Sequence, residues 1–555
     1  MKLFFKILLL FFTFLNANAQ NFYLKIEGNS IEETKIIDSI TYKSKFKNVA
    51  LLLEEKKDFE TKLSNNGFFD SKLKLQNKIN DSTFLFRYKL GKPIHKILIN
   101  TSNLAINEKE SLAIKAENYE LKPSEVENWL QNKLKLLEQK GFALAKLKLI
   151  NQEIENNKIR TELEVNLSEQ RKINDLVILG YDKFPKNIKQ NWKRKLKNRT
   201  FNQDLIKEIN TTIETFPFVT STRNPEILFT KDSTKIFTYL EKTKPNKFDG
   251  FIGFANDEKN TKLTFNGYLD LALINILNSG EKFNLYWRND GSQQSSFNLG
   301  TEIPYVFKSP FGTKANLKIF KQDSTFQNTQ LNLDLGYYFT YNKKVFLGYQ
   351  SINSVDIQNN NSVSLNDFNS RFYTLNFDYL KKDIENFLFP DKTIFNIKVG
   401  FGNRTITANK TNQFFTELNA SHHLSLNNKN TIFIKNQSYY LDSKNFVINE
   451  LYRFGGINSI CGFRENTLQA NLFSGIMTEY RYLLAPNLYT HSIIDYGYYQ
   501  DKTSGLKGNL LGLGFGFGLL SNNGLLHFVY ANGSTNNQAI KLSNSIVQIS
   551  FKTNF

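Results

Sequence analysis

Cysteine is nearly absent from this chain of 555 residues, in which Cys461 is the only one. A single thiol excludes a disulfide framework and also a cysteine cluster that would bind zinc or an iron–sulfur group. Histidine is scarce as well, with five residues scattered along the sequence. The adjacent His422 and His423 would point to opposite faces of a strand, so they would not chelate one metal ion. We therefore expect no metal site.

Motifs for catalysis and for cofactor binding are missing too. No serine–histidine–aspartate set, phosphate-binding loop or pair of carboxylates stands out. The segment 512–519 is rich in glycine, but a dinucleotide fingerprint needs a tight turn that opens a helix. Here glycine recurs at every second residue, which is the spacing of one face of a strand. We expect no cofactor and no enzymatic activity, and an enzyme built as a membrane barrel stays open as an alternative.

Long apolar runs are confined to the N-terminus. Lys2 and Lys6 precede the apolar run 7–15, and Ala17-Asn18-Ala19 has the small-x-small form that signal peptidase cuts. Residues 1–19 are therefore predicted to be a signal peptide, and the protein to be exported. Beyond residue 20 no run of about eighteen apolar residues occurs, which excludes a mature chain that spans a membrane by helices. If the chain enters a membrane, it does so as a β-barrel.

The charge balance is strongly basic, with a net charge of +19 from 71 Lys and Arg against 52 Asp and Glu. In a cytosolic protein this excess would suggest nucleic acid as a partner, but export argues against nucleic acid. An anionic lipid surface, acidic client segments or a plain solvated surface fit better. Mean hydropathy is low at −0.41 although 14% of residues are aromatic. That combination is expected when apolar and polar faces alternate and aromatic girdles mark two membrane interfaces.

The region before residue 246 contains three imperfect repeats, at 20–92, 93–170 and 171–245. Each reads as a strand, two helices and two strands. The clearest landmark follows the second helix and recurs at a spacing of about 75 residues, which is the signature of an internal repeat. Its three copies are Gly67-Phe68-Phe69, Gly141-Phe142-Ala143 and Phe216-Pro217-Phe218. The repeats predict three small α+β domains, and a generic α+β array remains open at this point.

Residues 246–555 have a different character. Strands of alternating polarity are separated by Asn, Gly, Asp, Lys and Ser, and about sixteen of them can be counted, an even number that suits an outer-membrane barrel. The last strand shows the alternation best, with Val547, Ile549, Phe551, Thr553 and Phe555 on one face. A globular sandwich could produce the same pattern in places. We predict an all-β membrane barrel of about 16 antiparallel strands, preceded by the three α+β domains.

The segment 454–466 is the most informative part of the barrel region. Gly455 and Gly456 open it, and its centre is Ile460-Cys461-Gly462-Phe463-Arg464. Further along, Gly512, Gly514, Gly516 and Gly518 share one face of a strand whose other face is apolar. The apolar face must meet lipid, so the glycine row faces the lumen and leaves room for another backbone. We therefore predict that segment 454–466 packs against this row.

These residues resemble the "(V/I)RGF" loop of the outer-membrane protein assembly superfamily, whose members include BamA, TamA and the two-partner secretion transporters. The resemblance implies that the α+β repeats are POTRA domains. It also implies that the aromatic chain end, with Phe551 and Phe555, is the signal by which outer-membrane barrels are recognised. Family members pair the loop arginine with an aspartate at the position of Asp495. This chain has Cys461 in place of that arginine, so either Arg464 or Arg453 reaches Asp495, or no ionic lock exists.

The resemblance implies a function without nucleotide or metal. The protein would assist the insertion or translocation of other proteins at the bacterial outer membrane, with its first domains in the periplasm. POTRA strand edges would add a client strand, and the seam between the first and last barrel strands would open. The three repeats make the layout closest to TamA, while a two-partner secretion transporter and a passive channel remain alternatives. Expected partners are outer-membrane lipid, unfolded outer-membrane or secreted clients and a periplasm-spanning or inner-membrane protein.

Overall fold

The computed structural model describes residues 21–256, 263–289, 294–358, 365–383, 386–521, 524–536, 540–541 and 545–554. The predicted signal peptide 1–19 and the terminal Phe555 lie outside these residues. No helix in the described ranges is long and apolar enough to cross a membrane. The chain divides into two compact units, of which the first runs through Lys172 and also takes in 200–205, and the second comprises 173–199 and 206–555.

The first α+β domain consists of β1 (Phe22–Gly28), α1 (Ile31–Ser39), β2 (Lys45–Phe46), α2 (Val49–Asn65), β3 (Lys72–Lys78) and β4 (Thr83–Lys89). The sheet order is β2-β1-β4-β3, with β1 parallel to β4. Leucine and phenylalanine recur at helical spacing on α2, and Leu52, Phe59 and Leu63 are each 0% exposed. This stripe packs α2 against the sheet and forms the core of the domain.

The second domain repeats this arrangement with β5 (Lys96–Asn100), α3 (Ile106–Leu112), β6 (Asn118–Leu121), α4 (Pro123–Gln139), β7 (Lys146–Glu155) and β8 (Lys158–Asn166). Its sheet order is β6-β5-β8-β7, with β5 parallel to β8. The helix α4 begins with proline in its first turn, where the missing backbone N–H costs nothing. The same sheet topology in both domains identifies them as copies of one unit.

The third domain has β9 (Ile173–Leu179), α5 (Lys186–Leu196), α6 (Gln203–Thr215), β10 (Val219–Phe229) and β11 (Thr234–Lys242). Its sheet order is β10-β11-β9, with β9 parallel to β11. In place of the short edge strand of the other domains, an isolated bridge joins Lys172 to Thr200. Apart from 200–205, this domain belongs to the same compact unit as the barrel.

The rest of the chain closes into an antiparallel barrel of sixteen strands. The barrel strands are β12 (Lys247–Asn256), β13 (Leu263–Ile274), β14 (Lys282–Asn289), β15 (Gln294–Ile303), β16 (Phe311–Gln322), β17 (Phe326–Thr340), β18 (Lys343–Asp356), β19 (Phe368–Lys382), β20 (Asp391–Ile406), β21 (Asn409–Ser425), β22 (Asn430–Ser443), β25 (Leu472–Ala485), β26 (Leu488–Asp501), β27 (Leu506–Ser521), β28 (Gly524–Thr535) and β29 (Ile546–Asn554). Between β22 and β25 lies a separate hairpin of β23 (Tyr452–Phe454) and β24 (Leu468–Ala470).

The outward face of the barrel is apolar and its lumen is polar. In β17, Leu331, Leu333 and Leu335 are 41%, 50% and 58% exposed, whereas Asn332 and Asp334 between them are 6% and 7% exposed. This inversion of the usual burial is the pattern of a barrel whose outer surface meets lipid. The predicted fold class is therefore confirmed.

The seam is the place where β12 meets β29, and it is the weakest junction in the described barrel. Its register covers Lys247↔Asn554 and Phe248↔Thr553. By comparison, β27 pairs with β28 continuously from Leu510 to Ser521. Each missing pair removes ladder hydrogen bonds, so the seam is held by fewer of these bonds than the β27–β28 junction.

Candidate functional site

The segment 454–466, here called the lumen loop, folds back into the barrel on the hairpin β23–β24. Aromatic rings fix the base of the hairpin to the wall: Tyr452 stacks on Tyr439 at 4.5 Å between ring centroids, and Phe454 stacks on Phe473 at 3.9 Å. Ile460 at the tip is 0% exposed and joins the same apolar cluster. The loop is therefore a packed element of the lumen.

Glycine is required where the loop turns and where it meets the wall. Gly455 and Gly456 have positive φ angles of 107° and 94°, which let the two ends of the loop approach each other. Gly462 has φ of 83°, and a Cβ added there would lie 2.2 Å from the carbonyl carbon of Asn532. A side chain at Gly462 would therefore collide with the backbone of β28 as well as strain its own backbone.

Three residues in one register row across β26, β27 and β28 receive the loop backbone; we call Asp495, Gly512 and Gly533 the docking row. The backbone N–H of Cys461 donates to Asp495 Oδ2 at 2.8 Å. A Cβ added to Gly512 would lie 2.5 Å from the Cys461 carbonyl oxygen, and one added to Gly533 would lie 2.6 Å from the Gly462 oxygen. The loop therefore lies directly on backbone from which side chains are missing.

Of the four β27 glycines that were expected to contact the loop, Gly512 does so and the other three do not. A Cβ on Gly514 would first meet Tyr530 and Ala531. On Gly516 it would meet Phe528 and His491, and on Gly518 it would meet Tyr489. The loop tip runs across the strands and not along β27, so it meets one glycine of that strand. The other three glycines make room for side chains and backbone of neighbouring strands.

The two arginines considered for Asp495 lie elsewhere. Arg464 is exposed, and its carbonyl oxygen accepts from the backbone N–H of Thr467 at 3.4 Å. Arg453 places its guanidinium 5.5 Å from the ring centroid of Phe326. Within the described ranges, no arginine or lysine nitrogen lies within 4 Å of the Asp495 carboxylate. The carboxylate therefore holds the loop through the backbone N–H of residue 461, not through a side-chain cation.

A lysine that sequence reasoning missed holds the same end of the loop. Lys435, on β22, donates from Nζ to the carbonyl oxygen of Asn458 at 2.6 Å. Lys435 and Asp495 also line the same lumen cavity. The alternation of β22 indicates that Lys435 faces inward, but the sequence gives no sign of which loop atom it meets.

The other end of the loop is tied to the opposite side of the seam. Glu465 forms an ion pair with Arg288 of β14, and Tyr286 donates from its hydroxyl to Glu465 Oε1 at 3.2 Å. The loop thus contacts β26, β27 and β28 on one side of the seam and β14 on the other. No sequence pattern links Glu465 to Arg288, since they are neighbours only because the barrel closes.

A cavity of about 570 Å³ lies between the loop and the seam. Both seam strands line it, with Asp249 from β12 and Gln548, Ser550 and Lys552 from β29. Asp249 is 8% exposed and accepts a 2.6 Å hydrogen bond from the Tyr268 hydroxyl. An opening of the seam would therefore connect this cavity, which both charged and apolar side chains line, with the surrounding lipid.

The lumen also contains a cluster around Arg481 that brings together three of the scattered histidines. Arg481 Nε lies 2.8 Å from Glu479 Oε2, and His491 Nδ1 lies 3.1 Å from the same oxygen. His527 and His491 approach to 3.1 Å between Nε2 atoms, and His423 Nε2 lies 3.4 Å from Arg481. In the described part of the chain these groups do not form a metal-binding set. Glu479, Arg481 and His527 of this cluster line the cavity.

At the chain end, Phe551 lies on the outer face of β29. Val547, Ile549 and Phe551 are 55%, 65% and 42% exposed, as expected for a row in contact with lipid. A recognition role for Phe551 and Phe555 stays a prediction.

Neither a family model nor a curated protein matches the sequence. Among solved structures, CdiB from Acinetobacter baumannii matches with 12% identity and a TM-score of 0.52, over 91% of this chain and 97% of that one. CdiB from Escherichia coli gives the same identity and TM-score over 91% and 98%. BamA from Haemophilus ducreyi, in a structure lacking POTRA domains 1–3, matches at 15% identity with a TM-score of 0.47, over 83% and 99%.

The two CdiB structures share the fold of nearly the whole chain. A bacterial outer-membrane location, with the preceding domains in the periplasm, accords with this fold and with the apolar outer surface. The chain therefore has the fold that its resemblance to the outer-membrane protein assembly superfamily predicts: a sixteen-strand barrel preceded by POTRA-like domains.

Proposed function

We propose that this protein inserts or translocates other polypeptides at the bacterial outer membrane. The observation that carries the proposal is the seam, whose short register stands beside a cavity lined by both seam strands. An incoming strand needs unpaired backbone N–H and C=O groups, and an opened seam offers them on β12 and β29. The chemistry is hydrogen bonding and burial, so the protein needs no catalytic residue for this step.

The POTRA-like domains supply the first contact with a client. In the first and second sheets, β3 and β7 stand at an edge with one side unpaired in the described structure. Exposed edges of this kind add a strand from an extended peptide. Unfolded outer-membrane or secreted proteins are the clients of matching chemistry, and a periplasm-spanning or inner-membrane protein remains a proposed partner. A layout closest to TamA also remains a prediction.

The lumen loop controls the seam in this proposal. It contacts β14 through Glu465 and the docking row through Cys461, so it bridges the two sides of the seam from within. As long as both contacts hold, β12 and β29 stay close. Loss of the Glu465 contact would free the β12–β14 side to move away.

The test locks the seam. Phe248 and Thr553 are register partners, so a disulfide between Phe248→Cys and Thr553→Cys, in a Cys461→Ser background, should close it covalently. Client insertion should fall in the oxidised protein and return on reduction. The matched control joins Ala272→Cys to Asn284→Cys between β13 and β14, away from the seam. Full client insertion with a locked seam would contradict the proposal.

The two alternative functions, a secretion transporter and a passive channel, predict different experimental results. A secretion transporter would lose export of one partner polypeptide while the levels of barrel proteins stay constant. A passive channel would show steady conductance in planar bilayers, and its depletion would leave the outer-membrane proteome unchanged. Insertion predicts a broad fall in barrel proteins on depletion.

A further inference from the structure

A stretch of the third domain is unusually basic. Residues 183–199 contain eight Lys and Arg residues and no Asp or Glu. Two of these cations are neutralised, because Lys193 pairs with Asp175 at 2.7 Å and Arg199 pairs with Glu208 at 2.6 Å. The other six form no ion pair within 4 Å among the described residues: Lys183, Lys186, Lys189, Arg194, Lys195 and Lys197. An exposed basic cluster of this kind attracts anionic partners.

The helix α5, which carries most of this stretch, is docked on the barrel rim where the third domain enters. Asn187 Nδ2 donates to the carbonyl oxygens of Ser279 and Pro304, both at 2.9 Å. Arg194 donates to the carbonyl oxygen of Lys308, and Lys195 donates to that of Phe339. These contacts lie within one compact unit and fix the helix beneath the turns that join barrel strands.

Exposed cations of the basic stretch lie next to this contact with the rim. Lys186 and Gln190 follow helical spacing with Arg194, which anchors the helix, so the three share one face of α5. All three are exposed, as are Lys183 before the helix and Lys197 after it. The charged face therefore begins at the barrel rim and extends outward from it.

The rim at this point has the chemistry of a membrane interface. Phe307 is 97% exposed, and Phe311, Tyr337 and Phe339 are 47%, 41% and 48% exposed. Phe307 adopts a left-handed conformation with φ of 52°, which directs a large apolar side chain outward at the expense of backbone strain. Aromatic rings of this kind lie at the level of lipid headgroups. Lys195 therefore meets the backbone of one of these aromatic residues, Phe339, and Arg194 meets that of Lys308, next to Phe307.

We propose that α5 and the adjoining turn 305–308 form a binding surface for the headgroups of anionic phospholipids in the leaflet next to this rim. The aromatic side chains enter the apolar edge of the leaflet, and the lysines and Arg194 meet phosphate groups just outside it. The surface orients the third domain relative to the membrane plane. This inference does not depend on the proposed insertion of clients.

The experiment uses purified full-length protein in detergent, titrated with phosphatidylglycerol or phosphatidylcholine and followed by native mass spectrometry. The rim variant combines Lys183→Gln, Lys186→Gln and Lys197→Gln. The matched control removes three exposed lysines from the first domain: Lys57→Gln, Lys72→Gln and Lys74→Gln. A cation near an anionic lipid surface contributes about fivefold in affinity, so we expect the rim variant to lose at least about tenfold for phosphatidylglycerol.

The result that supports the proposal is a selective loss. Wild-type and control proteins bind phosphatidylglycerol better than phosphatidylcholine, the rim variant loses this preference, and added salt weakens the binding. Heat-modifiable migration on gels shows that the rim variant is folded. Unchanged phosphatidylglycerol binding by the rim variant, or an equal loss in the control, would overturn the proposal.

A competition experiment distinguishes a lipid headgroup from a free anion or an acidic peptide. Inorganic phosphate at the lipid concentration should not displace phosphatidylglycerol, since it lacks the acyl chains that the aromatic rim contacts. If phosphate or polyglutamate competes fully through the same lysines, the surface recognises a free anion or an acidic peptide, and the lipid proposal fails.

Discussion

Gly512→Ala tests the contact between the lumen loop and the barrel wall. The new Cβ would lie 2.5 Å from the Cys461 carbonyl oxygen and 3.2 Å from Asp495 Cβ. Neither neighbour is the end of a flexible side chain, so the loop must move away by about 1 Å to restore normal van der Waals separation. Overpacking of this kind costs about 1–3 kcal/mol. The displacement also lengthens the 2.8 Å bond from Cys461 N–H to Asp495, so part of that bond is lost.

The single cysteine reports the result without further engineering. Cys461 is 8% exposed, so a maleimide reacts with it only when the loop leaves the wall. A change of about 2 kcal/mol in docking corresponds to about thirtyfold in the undocked population, and the labelling rate should rise by that factor. The control is Gly300→Ala in β15, where the new Cβ meets only the flexible amide nitrogen of Asn316, at 3.2 Å. Its labelling rate should equal that of the wild type.

Labelling must be compared in folded barrels, since unfolding would expose the thiol for another reason. Heat-modifiable migration supplies that comparison. If folded Gly512→Ala protein is labelled as slowly as the wild type, the loop does not rest on Gly512. Rapid labelling of the wild type from outside intact cells would show that the loop is not inside the lumen at all.

Three further predictions concern the two ends of the loop and the last strand. Glu465→Gln should weaken the ion pair with Arg288 by only about 0.5–1 kcal/mol, because both groups are partly exposed. As the seam loosens, hydrogen exchange in β12 should become faster. Unchanged exchange would show that this ion pair does not control the seam. Cys461→Arg should be tolerated and should stabilise the docked loop by about 0.5–3 kcal/mol through an interaction with Asp495. Thermal unfolding of the barrel measures this gain, which Asp495→Asn should cancel. Loss of folding in Cys461→Arg would contradict the prediction. Phe551→Asp should reduce the amount of heat-modifiable protein in membranes, because the side chain faces lipid, and normal levels would refute that placement.

The sequence predicts those features that depend on local spacing. Alternation places Ile549 and Phe551 on the lipid face, and the resemblance identifies Asp495 as the residue that meets the loop. The sequence does not predict that Gly512, rather than Gly516, lies under the loop. That choice depends on the register between β27 and its neighbours, which a single strand does not encode. Gly533 could have been found by extending the row to β28 once the register was known.

Contacts between distant parts of the chain are beyond sequence reasoning for a similar reason. Glu465 and Arg288 meet because sixteen strands close into one barrel. His423, His491 and His527 meet because three inward-facing positions fall at the same height of the wall. The basic face of α5 is visible in the sequence, but its place at the barrel rim depends on how the third domain docks. Closure and docking are tertiary events, and the energies that decide them are sums over many residues.

Cys461 stands where the superfamily that this chain resembles has an arginine, and the loop is held in a different way here. A guanidinium would reach the Asp495 carboxylate with a long side chain, so the backbone could stay at some distance from the wall. A cysteine has no such reach, and here the backbone N–H itself meets the carboxylate at 2.8 Å. That approach is possible only because Gly512 and Gly533 lack side chains beneath Cys461 and Gly462. The docking row therefore supplies by close backbone approach what a charged side chain supplies in the superfamily that this chain resembles, and the loop is held by a bond that a small shift of the wall can break.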